Sequence, residues 1–75
     1  INILIEGHTD SIGNSKSNLI LSKNRAQTVY NYLITKSVKN DQISFRGFGD
    51  KMPMSSNNTE LGRSLNRRTS FRVVD

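Results

Sequence analysis

Ile1, Ile3 and Ile5 alternate with Asn2, Leu4 and Glu6 at the start of the chain, a period of two that predicts a strand with one strongly apolar face. Gly7 closes it. His8 to Ser17 is rich in Gly, Ser, Thr, Asn and Asp, and reads as a loop because these residues turn the backbone through positive φ or side-chain bonds. The period then changes. Ala26, Val29, Tyr30, Leu33 and Ile34 fall at i, i+3, i+4, i+7 and i+8 of one stripe, which predicts a helix from Lys23 to Lys36. Ser22 is its expected N-cap, and Lys36 and Lys39 lie where cations complement the dipole. Ile43 and Phe45 alternate with Ser44 and Arg46 in a second strand, closed by Gly47-Phe48-Gly49-Asp50. After a loop of Pro53 and Ser55-Ser56-Asn57-Asn58, Thr59 caps a short helix carrying Leu61 and Leu65, and Phe71 and Val73 mark a last strand.

The element order is strand, helix, strand, helix, strand. A helix between the first two strands makes them parallel with a right-handed crossover, and ligands of such sheets usually sit outside the carboxyl ends of the strands. Asp10 follows the first strand and Arg25 falls in the first turn of the expected helix, so an anion and a cation meet at one rim. Such a pair can grip a zwitterion. The carboxylate takes an ammonium through charge-assisted bonds, and the planar guanidinium fork takes a carboxylate through two. The helix N-terminus adds its own attraction for the anion. The plainer readings are a turn-capping aspartate and a solvated helix arginine.

With 75 residues the chain is one domain with a thin core, burying about 60% of the surface its unfolded form exposes. Its longest apolar runs, Ile3–Ile5 and Leu19–Leu21, fall far short of the ~18 residues that span a membrane. No signal peptide is expected at Ile1, and a chain that opens inside a strand reads as a piece of a longer protein. Cysteine is absent, which excludes a disulfide framework and a thiolate metal site.

The net charge of +5 fits an anionic partner, and Arg63, Arg67, Arg68 and Arg72 form the cluster that a polyanion-binding module, for instance a nucleic-acid binder, would use. Stacking platforms are missing, since only Phe71 lies nearby and it belongs to an apolar strand position. Arg63 and Arg67 share one helical side while Arg68 points elsewhere. The better reading turns one of the paired arginines to the ligand mouth and the other to a carboxylate of the domain. His8, the only histidine, is expected to hydrogen-bond within its loop rather than hold a metal. Ser11 and Ser22 lack a base and orienter, Glu6 and Asp10 do not form a glycosidase pair, and Gly47-Phe48-Gly49 lacks the third glycine of a phosphate loop. Asn57-Asn58-Thr59 matches a glycosylation sequon by chance. No catalytic residue, metal or cofactor is expected.

The chain resembles the OmpA-like domain family, which binds bacterial peptidoglycan without cleaving it. The resemblance rests on Gly7-His8-Thr9-Asp10 with Gly13, Asn18, Leu21-Ser22 and Arg25-Ala26, then Val29, Tyr32-Leu33, Gly47, Gly49, Pro53, Asn58-Thr59-Glu60, Gly62-Arg63 and Asn66-Arg67-Arg68. It implies an α+β fold, a two-layer sandwich with a mixed sheet. It also implies that Asp10 and Arg25 hold the ammonium and carboxylate of meso-diaminopimelate in the peptide stem, with Thr9, Asn18 and Arg67 near that pocket. Backbone N–H groups from Thr9 to Ser11 would complete the site. The implied setting is the periplasm of a Gram-negative envelope, where an outer-membrane-associated protein is anchored to the wall. Nucleic acid is not an implied partner, membrane contact belongs to other parts of a parent protein, and a homodimer is left open. The family domain has a strand and helix before the position of Ile1, so residues 1–75 read as an N-terminally incomplete domain that leaves an apolar sheet edge bare. Thr69 departs from the apolar residue usual after the paired arginines, a matter of packing.

Overall fold

The computed structural model describes residues 2–74, so the expected place of Ile1 on the first apolar face lies outside the described residues. Its elements are β1 (Asn2–His8), α1 (Ser15–Thr35), β2 (Ile43–Gly49), α2 (Glu60–Asn66) and β3 (Thr69–Val74). The three strands form one mixed sheet in the order β2-β1-β3, with β1 parallel to β2 and antiparallel to β3. This is the α+β sandwich that the family resemblance implied, with α1 packed on β1 and β2.

Helix α1 starts well before the expected Lys23. Asn14, not Ser22, is the N-cap, and its Oδ1 accepts from Lys16 N at 2.8 Å and Ser17 N at 3.1 Å. Counting apolar residues misplaced the start because the first turns of α1 are buried through small and polar residues. Asn18, Ser22 and Ala26, spaced by four, are its buried positions. Ser22 is fully buried, donates from Oγ to Leu19 O at 2.8 Å and accepts from Gly49 N at 2.8 Å. A hydroxyl that bonds back to the preceding turn is tolerated inside a helix.

That stripe lets backbone meet backbone. A Cβ on Gly7 would collide with the carbonyl of Ser22, and one on Gly47 with the backbone of Lys23. The face of β1 that carries Ile3, Ile5 and Gly7 therefore lies against α1. Farther along the helix, Tyr30 meets Phe45 with ring centroids 5.0 Å apart. Ile5, Ala26 and Ile43 form the buried apolar core, as thin as a chain of this length dictates.

Helix α1 ends in a Schellman arrangement. Ser37, at φ 69, lets Ser37 N reach Ile34 O and Val38 N reach Leu33 O, each at 3.2 Å. At the far side of the sheet, Phe71 and Val73 pair with Ile5 and Ile3 across the ladder. They remain 60% and 65% exposed on this outer strand.

Candidate functional site

The carboxyl ends of β1 and β2 carry the loop Thr9–Asn14 and the turn at Gly49-Asp50. Strand β1 runs one residue past Gly7, so His8 belongs to the sheet and not to a loop. Its ring stacks on Phe48 with centroids 5.3 Å apart and lies 3.1 Å from Glu6 Oε1 through Nε2. His8 is wholly buried, and its Nδ1 has no hydrogen-bond partner among the described residues. Burial holds its imidazole below the ordinary 6.5, with Arg68 and Arg72 pushing the same way against the pull of Glu6. Arg72 Nε comes within 2.7 Å of Glu6 Oε2. That N–H is not aligned on the oxygen, so the contact neutralises Glu6 by charge rather than by a directed hydrogen bond.

The loop after His8 is tied from several sides. Thr9 N donates to Gly49 O at 2.9 Å, and Thr9 Oγ1 donates to Asp10 O at 2.8 Å. Asn18 Nδ2 donates to Ile12 O at 3.0 Å and to Asp10 O at 3.4 Å, so the first turn of α1 fixes the loop that precedes it. Ser11 is exposed and its N–H donates to Asn57 Oδ1 at 3.3 Å. The N–H groups of Thr9 and Ser11, expected to face a ligand, are thus already engaged within the fold.

Asp10 is 8% exposed. Its Oδ1 accepts from Ile12 N at 3.0 Å and its Oδ2 from Arg67 Nη1 at 2.8 Å. Arg67 also donates from Nη2 to Glu60 Oε1 at 2.7 Å, and Arg63 approaches the other Glu60 oxygen at 3.2 Å. The Arg67 guanidinium holds the carboxyls of Asp10 and Glu60 below their usual range, and they in turn hold Arg67 more firmly protonated.

Arg25 lies well inside α1, not in its first turn, so the helix N-terminus lends it nothing. Its Nη1 donates to His8 O at 3.4 Å. That contact puts the guanidinium beside the strand end from which the Asp10 loop departs. Among the described residues no carboxylate lies within ion-pair distance of Arg25. Arg25 thus reaches the end of β1 through His8 O, while the partner of Asp10 is Arg67. Among the described residues this rim is an open surface without an enclosed cavity.

The arginine cluster divides among internal partners. Arg63 and Arg67 serve Glu60, and Arg72 serves Glu6. Arg68 donates to the carbonyls of Met52 at 3.0 Å and Asn66 at 3.4 Å. Sequence reasoning passed over Glu60 and Asn66 as site-builders. Glu60 could have been found, because Arg63 and Arg67 follow it at i+3 and i+7 on one helical face. Asn66 gave no such signal. Fully buried, it accepts from Met54 N and Ser55 N at 2.8 and 3.0 Å, and donates to Ser55 O and Asn57 Oδ1 at 3.0 and 2.8 Å. No cluster of three or more potential metal-ligating side chains occurs among the described residues.

Comparison with known proteins identifies the family. The chain is 45% identical over 67 residues to a peptidoglycan-associated lipoprotein of Buchnera aphidicola, a match that takes in 89% of this chain and 39% of that protein. It is 39% identical over 71 residues to the peptidoglycan-binding protein ArfA of Mycobacterium bovis, covering 95% of this chain and 22% of the relative. The chain thus spans well under half the length of these curated relatives. Among solved structures, the peptidoglycan-associated lipoprotein of Burkholderia pseudomallei superposes with a TM-score of 0.89 at 33% identity, over 93% of this chain and 59% of that one. The C-terminal domain of Helicobacter pylori MotB gives 0.89 at 32% identity, over 99% and 58%. The model of the OmpA family matches residues 1–67, and the chain belongs to that family.

Proposed function

We propose that this chain is a non-catalytic module that binds peptidoglycan through the diaminopimelate of its peptide stem and so anchors an envelope protein to the wall from the periplasm. The reading draws on relatives named for peptidoglycan and on a solved relative described as a periplasmic domain. One observation carries the ligand chemistry. A shielded Asp10 whose carboxyl is held below its usual range, and an Arg25 that has no carboxylate partner among the described residues, flank the end of β1, so this rim offers an acceptor for an ammonium and a fork for a carboxylate. Thr9 and Asn18 shape the loop, and Arg67 stands at the carboxylate. Ser11 lies exposed on the same loop.

The non-catalytic part rests on where the hydroxyl and imidazole are spent. Ser22 Oγ is buried between Leu19 O and Gly49 N, and His8 is buried against Glu6 with no serine as its partner. The two are not set beside each other as the nucleophile and base of acyl transfer would be. A single stem needs only modest affinity, because repeats along a polymer supply avidity.

Titrating the protein with a diaminopimelate-containing stem peptide and with its lysine analogue, read by NMR shifts, tests the assignment. Shifts around Asp10 and Arg25 that favour the diaminopimelate peptide are expected. Loss of sacculus pull-down in Asp10→Ala and Arg25→Ala, with the fold retained and no soluble muropeptides released, is expected alongside. Silence at both residues with both peptides would remove the site.

A further inference from the structure

The resting site presents a conflict: the carboxylate that is to receive an ammonium already holds a guanidinium. Asp10 Oδ1 already accepts from Ile12 N and Oδ2 from Arg67 Nη1, so an arriving ammonium must take a remaining lone pair beside a guanidinium that it repels, which loosens Nη1 from Oδ2. We infer that Glu60 is a positioning residue for ligand capture: it keeps Arg67 at the rim when the ammonium displaces Nη1 from Asp10, and turns the freed guanidinium edge into a second donor for the ligand carboxylate. The inference rests on the peptidoglycan-binding reading and names a residue that does not itself touch the ligand.

The geometry divides the labour. Arg67 spans the two carboxylates with different nitrogens, Nη1 on Asp10 at 2.8 Å and Nη2 on Glu60 at 2.7 Å. The two grips are thus independently breakable. The Asp10 side chain is 12% exposed, that of Arg67 35% and that of Glu60 68%, a gradient from shielded to solvated. Losing the inner grip leaves Arg67 tethered at the outer one, with its freed N–H edge still at the rim. Glu60 is itself held, since Arg63 Nε and Nη2 lie 3.3 and 3.2 Å from its Oε2 while Arg63 Nη1 is fixed on Asn57 O at 3.0 Å.

Charge sets the selectivity. Asp10 and Glu60 are balanced by Arg67 and Arg63, which leaves Arg25 as the unbalanced charge of the rim among the described residues. A zwitterionic headgroup brings equal and opposite charges and preserves that balance. A lone side-chain ammonium, as in a lysine stem, adds an uncompensated cation beside two guanidiniums, which is penalised in a partly shielded site. Without the Glu60 charge, Arg67 has Asp10 as its single anion and competes harder with any incoming ammonium.

Glu60→Gln keeps the shape and removes the charge. Two readings of this variant, together with wild type, test the role. In ligand-free protein, the Asp10 carboxyl followed by NMR should titrate at lower pH in Glu60→Gln than in wild type, because Arg67 settles fully on Asp10. In titrations with the diaminopimelate stem peptide, the variant should bind about threefold to fivefold more weakly, the range for a pair with one largely exposed partner. The same peptide with its side-chain ammonium acetylated should bind both proteins equally. Wild type that binds while Glu60→Gln binds as tightly, or with Asp10 titrating unchanged, overturns the positioning role alone. Wild type blind to the diaminopimelate peptide overturns the binding reading and this role together.

Discussion

Asp10 and Arg67, 57 positions apart in sequence, meet at 2.8 Å and fasten the loop after β1 to the end of α2. Removing one partner strands the other. Arg67→Ala leaves the Asp10 carboxylate with only Ile12 N as donor, and should lower the unfolding midpoint. Asp10→Ala should cost less than Arg67→Ala, and the double variant should lose less than the two singles together. Urea unfolding of the four proteins measures the coupling. The folded state holds the Asp10 carboxyl below its unfolded value. The pair's contribution is therefore complete above the ordinary carboxylate range and fades as pH falls through the depressed folded value.

His8 predicts a second, separate pH window. Burial lowers the folded-state affinity of its imidazole for a proton below the ordinary 6.5, so the unfolded chain takes up that proton first. Stability should be full above that value and decline as pH falls toward the lowered folded value. Unfolding midpoints between about pH 7 and pH 5 should slope in wild type and flatten in His8→Gln, which keeps a donor toward Glu6. Equal slopes in the two proteins would remove His8 as the cause.

Gly7 sits where β1 touches the carbonyl of Ser22. Gly7→Ala should push α1 off the sheet and destabilise the domain by about 1–3 kcal/mol, the usual range for overpacking against an unyielding neighbour. Gly13 is an internal control: although its φ is +89, a Cβ there meets nothing within 4 Å. Gly13→Ala should therefore show only backbone strain, with the helix seating intact. Thermal unfolding and the chemical shifts of Ser22 distinguish the two.

Asn66 supports the loop from Met54 to Asn57 through four hydrogen bonds. Asn66→Ala leaves several buried backbone groups without partners and should cost about 2–4 kcal/mol. Asn66→Asp should also destabilise, since its second oxygen would face Ser55 O, which needs a donor. Hydrogen exchange at Met54 and Ser55 should rise in both variants.

The strands and the two helices were legible because their apolar periods are driven by burial against a sheet, and burial is the strongest signal a linear pattern carries. Ile5 and Ile43 on their strands and Ala26 on its helix became the core for that reason. The start of α1 was not legible. Its first turns are buried by Asn18 and Ser22 beneath Gly7 and Gly47, a close backbone approach that leaves no apolar stripe to count.

The chain by itself determined the element order, which follows from residue type and spacing, and carried the motifs through which it resembles the OmpA family. Only the tertiary structure decided which guanidinium Asp10 holds. Coulomb attraction depends on distance in space, and the turn that α2 makes at Asn66 brings Arg67, rather than Arg25, to that carboxylate, with Glu60 on its other side.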